Sequence, residues 1–383
     1  MPSPVDRSGA IPALTGLRFV AALMVFFSHY PIAGLSEIPT RIMMSGYSGV
    51  TFFFVLSGFI ISYNYLNKFT SSALKNTPAY LWARFSRVYP LYILTMLFVW
   101  LQKGAIEPIS IYIFAAQAWH PDVYVIGGLN GPAWSISVEA FLYLCFPLLI
   151  PIFSRIGILR PGPRMITATI IIIAVQLSLA AYLAMPPRDT LATSDPDSAH
   201  RWLYNFPLPR VLDFSLGIIA AAFYIKNKSN IINSAQWNYI CLASLAAITM
   251  LMASKEHFFS SYSWSASYAG LFALLILSIA ESQKSFLSKA LSTKSMILLG
   301  EASFAFYLIH VIALPMFELG TERSFPTAIA FNLIFLGLVT TMSIGLHLSV
   351  EKPCRQFLLG LIHRNNGRQP LSNSDKSGSY SDK

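Results

Sequence analysis

Residues 48–66 read SGVTFFFVLSGFIISYNYL, and none of them carries a charge. A helix crossing the hydrocarbon core of a bilayer needs about 20 mainly apolar residues. This stretch has that length and composition, so it reads as a membrane span. Outward from it the pattern repeats. Further apolar stretches cover 13–30, 79–101, 134–153, 165–185, 207–225, 239–253, 265–280, 295–318 and 326–350, which makes about ten transmembrane helices. Over 383 residues, hydrophobic side chains make up 55% and charged ones only 11%. Soluble chains carry about a quarter charged residues. A soluble enzyme, a disordered chain and a disulfide scaffold all fit poorly, and the composition predicts an all-α polytopic membrane protein.

The net charge is +10. In such a chain the excess reads as positive-inside bias and attraction to anionic lipid, with no nucleic acid implied. Residues 109–119 are apolar but short for a span. If they do not cross, Lys68, Lys75, Arg84, Arg87, Arg155, Arg160, Arg164, Lys226, Lys228, Lys284, Lys289, Lys294 and the basic C-terminal residues share one side with the N-terminus. The other side then holds only Arg41, Lys103, Arg188, Arg201, Lys255 and Arg323. A crossing at 109–119 would spoil this bias. Both termini are therefore expected in the cytoplasm, with 109–119 at the outer surface. Three parts follow: a cytoplasmic N-terminus (1–12), a transmembrane domain (13–358) and a disordered cytoplasmic tail (359–383). The outer loop 186–206 is long enough to form a lid or acceptor surface. The first span keeps Arg18 and His29 and lacks a small-residue cleavage site, so it reads as retained. Cys145, Cys241 and Cys354 share no CxxC spacing and read as structural thiols.

Ionisable groups inside spans are costly, so each is a functional candidate. Arg18 and His29 are eleven residues apart in the first span. On a helix that is about 16 Å along the axis and within roughly 20° of one face. Glu139 lies about 8 Å inside the fourth span, at a depth similar to that of His29, so a Glu–His pair is geometrically open to it. His310 falls in the outer half of the ninth span. Arg210 and Asp213, at i and i+3, can neutralise each other. Arg84 and Arg87, also at i and i+3, can offer two guanidinium forks to one phosphate, with Lys75 adding positive field. Topology anchoring is the plainer reading of those two arginines. No metal-ligand cluster is evident.

These residues sit in longer strings. LTGLRFVAALMVFFSH (14–29), GYSGVTFFFVLSGFIIS (46–62), RFSR (84–87), AWSISVEAFLYLCFPLL (133–149), RVLDFSLG (210–217), GEASFAFYLIH (300–310) and VEKPCRQFL (350–358) resemble, in order, the motifs of the integral-membrane acyltransferase family 3. Each string alone is weak; seven in sequence are specific. Thr51 occupies a position where the family varies and where acceptor choice could be touched. The sequence leaves no room for the extracytoplasmic hydrolase-like domain of some relatives.

The resemblance implies acyl transfer, usually of acetyl from acetyl-CoA, to a hydroxyl of an extracytoplasmic glycan, a lipid-linked sugar or another small acceptor. It also implies a multi-pass protein of the inner (plasma) membrane. Acyl-CoA is then a substrate and partner, and no bound cofactor is expected. Arg84, Arg87 and Lys75 suit the polyanionic nucleotide end. A groove from Arg18 to His29 could carry the thioester outward. His29 could serve as general base on the acceptor or take the acyl group itself, with Glu139 fixing its tautomer. His310, Ser137, Trp134, Arg210, Asp213 and Glu351 are candidates for acceptor contact or support. The rival reading is a transporter of a lipid-linked glycan that uses Arg18, Glu139 and Arg210 as pathway charges.

Overall fold

The computed structural model describes residues 11–104, 108–227, 232–313 and 324–365. Among them there is no strand. Ten main helices carry the fold: α1 (Pro12–His29), α2 (Gly49–Lys103), α3 (Trp134–Arg155), α4 (Pro163–Leu183), α5 (Pro207–Lys226), α6 (Ser234–Ala253), α7 (Ala266–Glu281), α8 (Lys294–Ile309), α9 (Phe325–Leu346) and α10 (Lys352–Asn365). Eight helical stretches among the described residues are long and apolar enough to cross a membrane. This matches the expected class and refines the expected ten. The second and third spans are two arms of α2. The ninth is α8, which ends at Ile309 after 16 residues rather than reaching 318; residues 314–323 lie outside the described residues.

Straight, a helix of the 55 residues of α2 would be about 80 Å long, far more than the roughly 30 Å of a hydrocarbon core. Ser72 has non-helical φ/ψ (−159°, 83°) and breaks it. The arms fold back on each other: the Tyr65 and Tyr80 rings are 5.3 Å apart. The Arg84 guanidinium sits 5.6 Å from the Tyr65 ring, whereas nineteen residues of straight helix would separate them by about 28 Å. Pro78 falls in the early turns of the second arm, where its missing N–H costs little.

The helices approach closely where the motifs place glycine. A Cβ on Gly217 of α5 would lie 1.9 Å from the Val55 carbonyl oxygen of α2, and one on Gly58 would lie 2.1 Å from that of Phe214. With no side chain on either, the two backbones touch, as small residues permit at helix crossings in lipid. Beside this crossing Arg210 and Asp213 are fully buried. Arg210 donates to Asp213 at 2.8 Å, to Thr51 Oγ1 at 3.1 Å, and to the carbonyls of Tyr204 (3.0 Å) and Trp264 (3.1 Å). Asp213 also accepts from Gln176 at 2.7 Å and Ser265 at 2.6 Å.

Residues 109–119 form a five-residue helix, Ile109–Ile113, and a single turn, Gln117–Trp119. Five helical residues extend about 7.5 Å, so the segment does not cross. Gln117 donates to the Ala133 carbonyl at 2.8 Å, and Arg201 of the 186–206 loop donates to the carbonyls of His120 and Trp119 at 3.0 and 3.1 Å. The two loops are thus strapped together at the start of α3. At the other end of the chain, helix continues through α10 to Asn365, beyond the boundary at 359 expected for a disordered tail. The indole N–H of Trp82 ties α10 to α2, donating to the Leu358 carbonyl at 2.8 Å. Residues 366–383 lie outside the described residues.

Candidate active site

A cavity of about 170 Å³ opens among α1, both arms of α2, α3 and α8. Its lining includes Arg18, Arg84 and Arg87, together with Glu139 and Tyr143. Four of the residues singled out by charge in the sequence therefore meet in one place. Ser57, Ser135, Ser303 and Tyr307 add polar groups, and Val50, Phe53 and Phe54 add apolar wall.

The electrostatics are unbalanced. Arg84 is only 9% exposed, and its Nε has no hydrogen-bond partner. Its guanidinium rests between the Tyr65 and Tyr80 rings, at 5.6 and 6.0 Å. Among the described residues none of the three guanidiniums forms an ion pair within 4.0 Å. Among the described residues Glu139 is the only carboxylate lining the cavity. Three cations against one carboxylate, partly shielded from water, leave a site with a net demand for negative charge. Beyond the cavity, Arg355 of α10 lies within electrostatic range of Arg84, Arg87 and Glu351. Glu351 also acts on Arg18 and is bonded to His347 at 2.9 Å, so it trims the positive field at that end.

Glu139 accepts from Ser57 Oγ at 3.0 Å and from the Tyr143 hydroxyl. No hydrogen bond joins it to His29, as the similar depths had suggested. Depth fixes position along the axis but not around it, and Glu139 faces α2 and the cavity. Ser135, Glu139 and Tyr143 share one face of α3 at i, i+4 and i+8. Ser137, two residues from Glu139, points about 200° away; its Oγ accepts from the Ala118 N–H at 3.2 Å. Trp134 packs on Tyr204, with ring centroids 4.8 Å apart. Both therefore brace the 109–119 and 186–206 segments rather than line the cavity. Tyr143 was legible as the i+4 neighbour of a carboxylate within a span, and Ser135 from the same periodicity.

The remaining candidates separate cleanly. Lys75 is exposed, just past the Ser72 break, and does not line the cavity. Arg210 and Asp213 spend their capacity on the network described above. Thr51 is fully buried and bonded between Arg210 and the Trp264 carbonyl (3.3 Å), so it braces the fold instead of facing an acceptor. His29, at the end of α1, is outside the cavity lining. Its ring centroid is 5.2 Å from that of His310. His310 in turn lies 5.8 Å from Tyr307, which does line the cavity. Tyr307 and His310 thus lie between the cavity and His29.

Fold and site together define a polytopic membrane protein with a cationic cavity and, beyond Tyr307 of its wall, a histidine pair. Sequence comparison gives the class its name. The family model described as an acyltransferase domain, that of acyltransferase family 3, matches residues 11–348, and the chain belongs to this family. It is 28% identical over 387 residues to "Acyltransferase MdmB" of Streptomyces mycarofaciens, covering 94% of both chains. A shorter match, 38% identical over 84 residues, joins 22% of this chain to 40% of "Protein 2 in picA locus" of Rhizobium radiobacter.

Proposed function

We propose that this acyltransferase moves an acetyl group from cytoplasmic acetyl-CoA to a hydroxyl of a cell-envelope glycan, a lipid-linked sugar or a small acceptor at the outer face of the inner membrane. The observation that carries the reading is the convergence of Arg18, Arg84 and Arg87 on one cavity with a single carboxylate. An acyl-CoA brings phosphates to guanidinium forks. The cavity, at about 170 Å³, is smaller than the roughly 300–1,000 Å³ that encloses a drug-sized ligand. It suits the slim acyl-pantetheine end, with the nucleotide left at the mouth near Arg84, Arg87 and Arg355. Both termini face the cytoplasm in this reading.

His29 is the general base in this account. It takes the acceptor hydroxyl proton as the oxygen attacks the thioester carbonyl, and the CoA thiolate leaves. Glu139, held by Ser57 and Tyr143, keeps Arg18 oriented and offsets part of the cavity's charge. The test is mass spectrometry of surface glycans, lipid-linked sugars and secreted small molecules from cells with and without the gene. Loss of an acetyl increment on one acceptor, restored by the wild-type gene, is the expected result. Full acetylation combined with intracellular accumulation of a glycan would replace acyl transfer by transport.

A further inference from the structure

His310 is 1% exposed and sits just past the last turn of α8. Its Nδ1 lies 2.7 Å from the Tyr307 carbonyl oxygen. A carbonyl can only accept, so Nδ1 must carry the proton. The neutral ring then has its lone pair on Nε2, and Nε2 has no hydrogen-bond partner in the protein. A buried acceptor without a donor is costly, so one left in place asks for a use. The neighbouring titratable groups are His29 and Tyr30 of α1, with ring centroids at 5.2 and 6.4 Å, and Tyr307 of its own helix. Tyr30 is already engaged, donating to the His310 carbonyl at 3.2 Å. That leaves His29. Two imidazoles joined by an N–H···N bond of ordinary length have centroids roughly 5 Å apart, and these two are 5.2 Å apart.

We infer that His310 is the positioning residue for His29: a turn of the exposed His29 ring brings one of its N–H groups onto the free Nε2 of His310, which holds the lone pair on the other His29 nitrogen, ready for the acceptor proton. This rests on His29 being the base, as proposed above. The Tyr307 carbonyl plays the anchoring part for His310, and the protein needs no carboxylate in the relay. When His29 takes the hydroxyl proton, its positive charge is shared along the N–H···N bond, while His310 keeps its own Nδ1 proton on the carbonyl. Tyr307 ties the pair to the cavity, because its hydroxyl donates to the Pro132 carbonyl at 3.0 Å while its ring lines the wall.

Two isosteres separate positioning from packing. In His310→Asn the amide can still donate to the Tyr307 carbonyl but nothing replaces Nε2. In His310→Gln the amide oxygen reaches roughly the Nε2 position. The protein is assayed in native membranes of the producing cell with labelled acetyl-CoA. In parallel, carbethoxylation of His29 by diethyl pyrocarbonate is followed by peptide mass spectrometry. For His310→Asn both transfer and His29 carbethoxylation are expected to fall by about 100-fold, within the usual range for a lost acid–base contribution. His310→Gln should keep both within about tenfold of wild type. Wild-type rates in His310→Asn, or equal losses in both variants at matched folded protein, would overturn the inference. Full transfer by His29→Ala would instead remove the base assignment, and this inference with it.

Discussion

Tyr143 donates its hydroxyl to Glu139 one turn earlier on α3, and Ser57 of α2 donates to the same carboxylate at 3.0 Å. The carboxylate is therefore fixed on the cavity side of α3 and close enough to act on Arg18. A carboxylate among three arginines offsets part of their charge and would repel an anion brought to them.

Glu139→Gln keeps the size and the two hydrogen-bond partners but removes the negative charge. Acetyl-CoA affinity should not weaken, since a repulsive charge is gone, while kcat should fall about 100-fold through loss of order at Arg18. Equilibrium binding of CoA in detergent and steady-state transfer, measured on one preparation, check both halves.

Arg84 and Arg87 should act at the donor. Each charge-assisted contact to phosphate is worth about 1.5–3 kcal/mol, or roughly ten- to a hundredfold in Kd. Arg84→Ala with Arg87→Ala should raise the CoA dissociation constant by at least about 100-fold. Lysine at both positions should rescue only partly, because a point charge lacks the fork. An unchanged dissociation constant would make them topology anchors.

The α2–α5 crossing should be intolerant of any side chain. Gly217→Val puts Cβ where the Val55 carbonyl oxygen lies 1.9 Å away, and overpacking of this kind costs about 1–3 kcal/mol or more. At Gly337 and Gly345 of α9 an added Cβ would meet nothing within 4 Å, so Gly→Ala there should be neutral or slightly stabilising. Thermal unfolding in detergent should separate the two sets.

His200, in the loop that precedes α5, should make that loop acid-sensitive. Burial pushes its pKa down to about 4, against a bond to the Thr193 carbonyl and with a smaller push from Arg210. Its unfolded value is about 6.5, so the unfolded chain binds the extra proton first. Its stabilising contribution is complete above about pH 6.5 and is lost as pH falls towards 4. The protection factors of the loop amides, which are exchange rates corrected for the intrinsic pH dependence, should fall between pH 6.5 and 5 and change less in His200→Gln.

The helical segments were legible because hydropathy reports length directly. The pair of antiparallel arms in α2 was legible in the same way, but not the helical join between them: that polar stretch reads as a loop, yet it contains no helix breaker before Pro78 and stays helical on both sides of Ser72. Charge inside spans pointed to Arg18, Arg84, Arg87 and Glu139, and these do share the cavity. Azimuth was harder. Nothing in one sequence says which way Glu139 faces relative to another helix, so its partners came out as Ser57 and Tyr143 instead of His29. The tautomer of His310 depends on the position of a single carbonyl and left no trace in the sequence.

The most direct test of the account is acetyl transfer from radiolabelled acetyl-CoA, with native membranes supplying the acceptor, by purified wild-type protein and by His29→Ala at equal folded amounts. Wild-type protein should label the membrane fraction and His29→Ala should not, although both bind CoA with the same dissociation constant through the arginines of the cavity. Equal labelling by the two proteins would contradict the account.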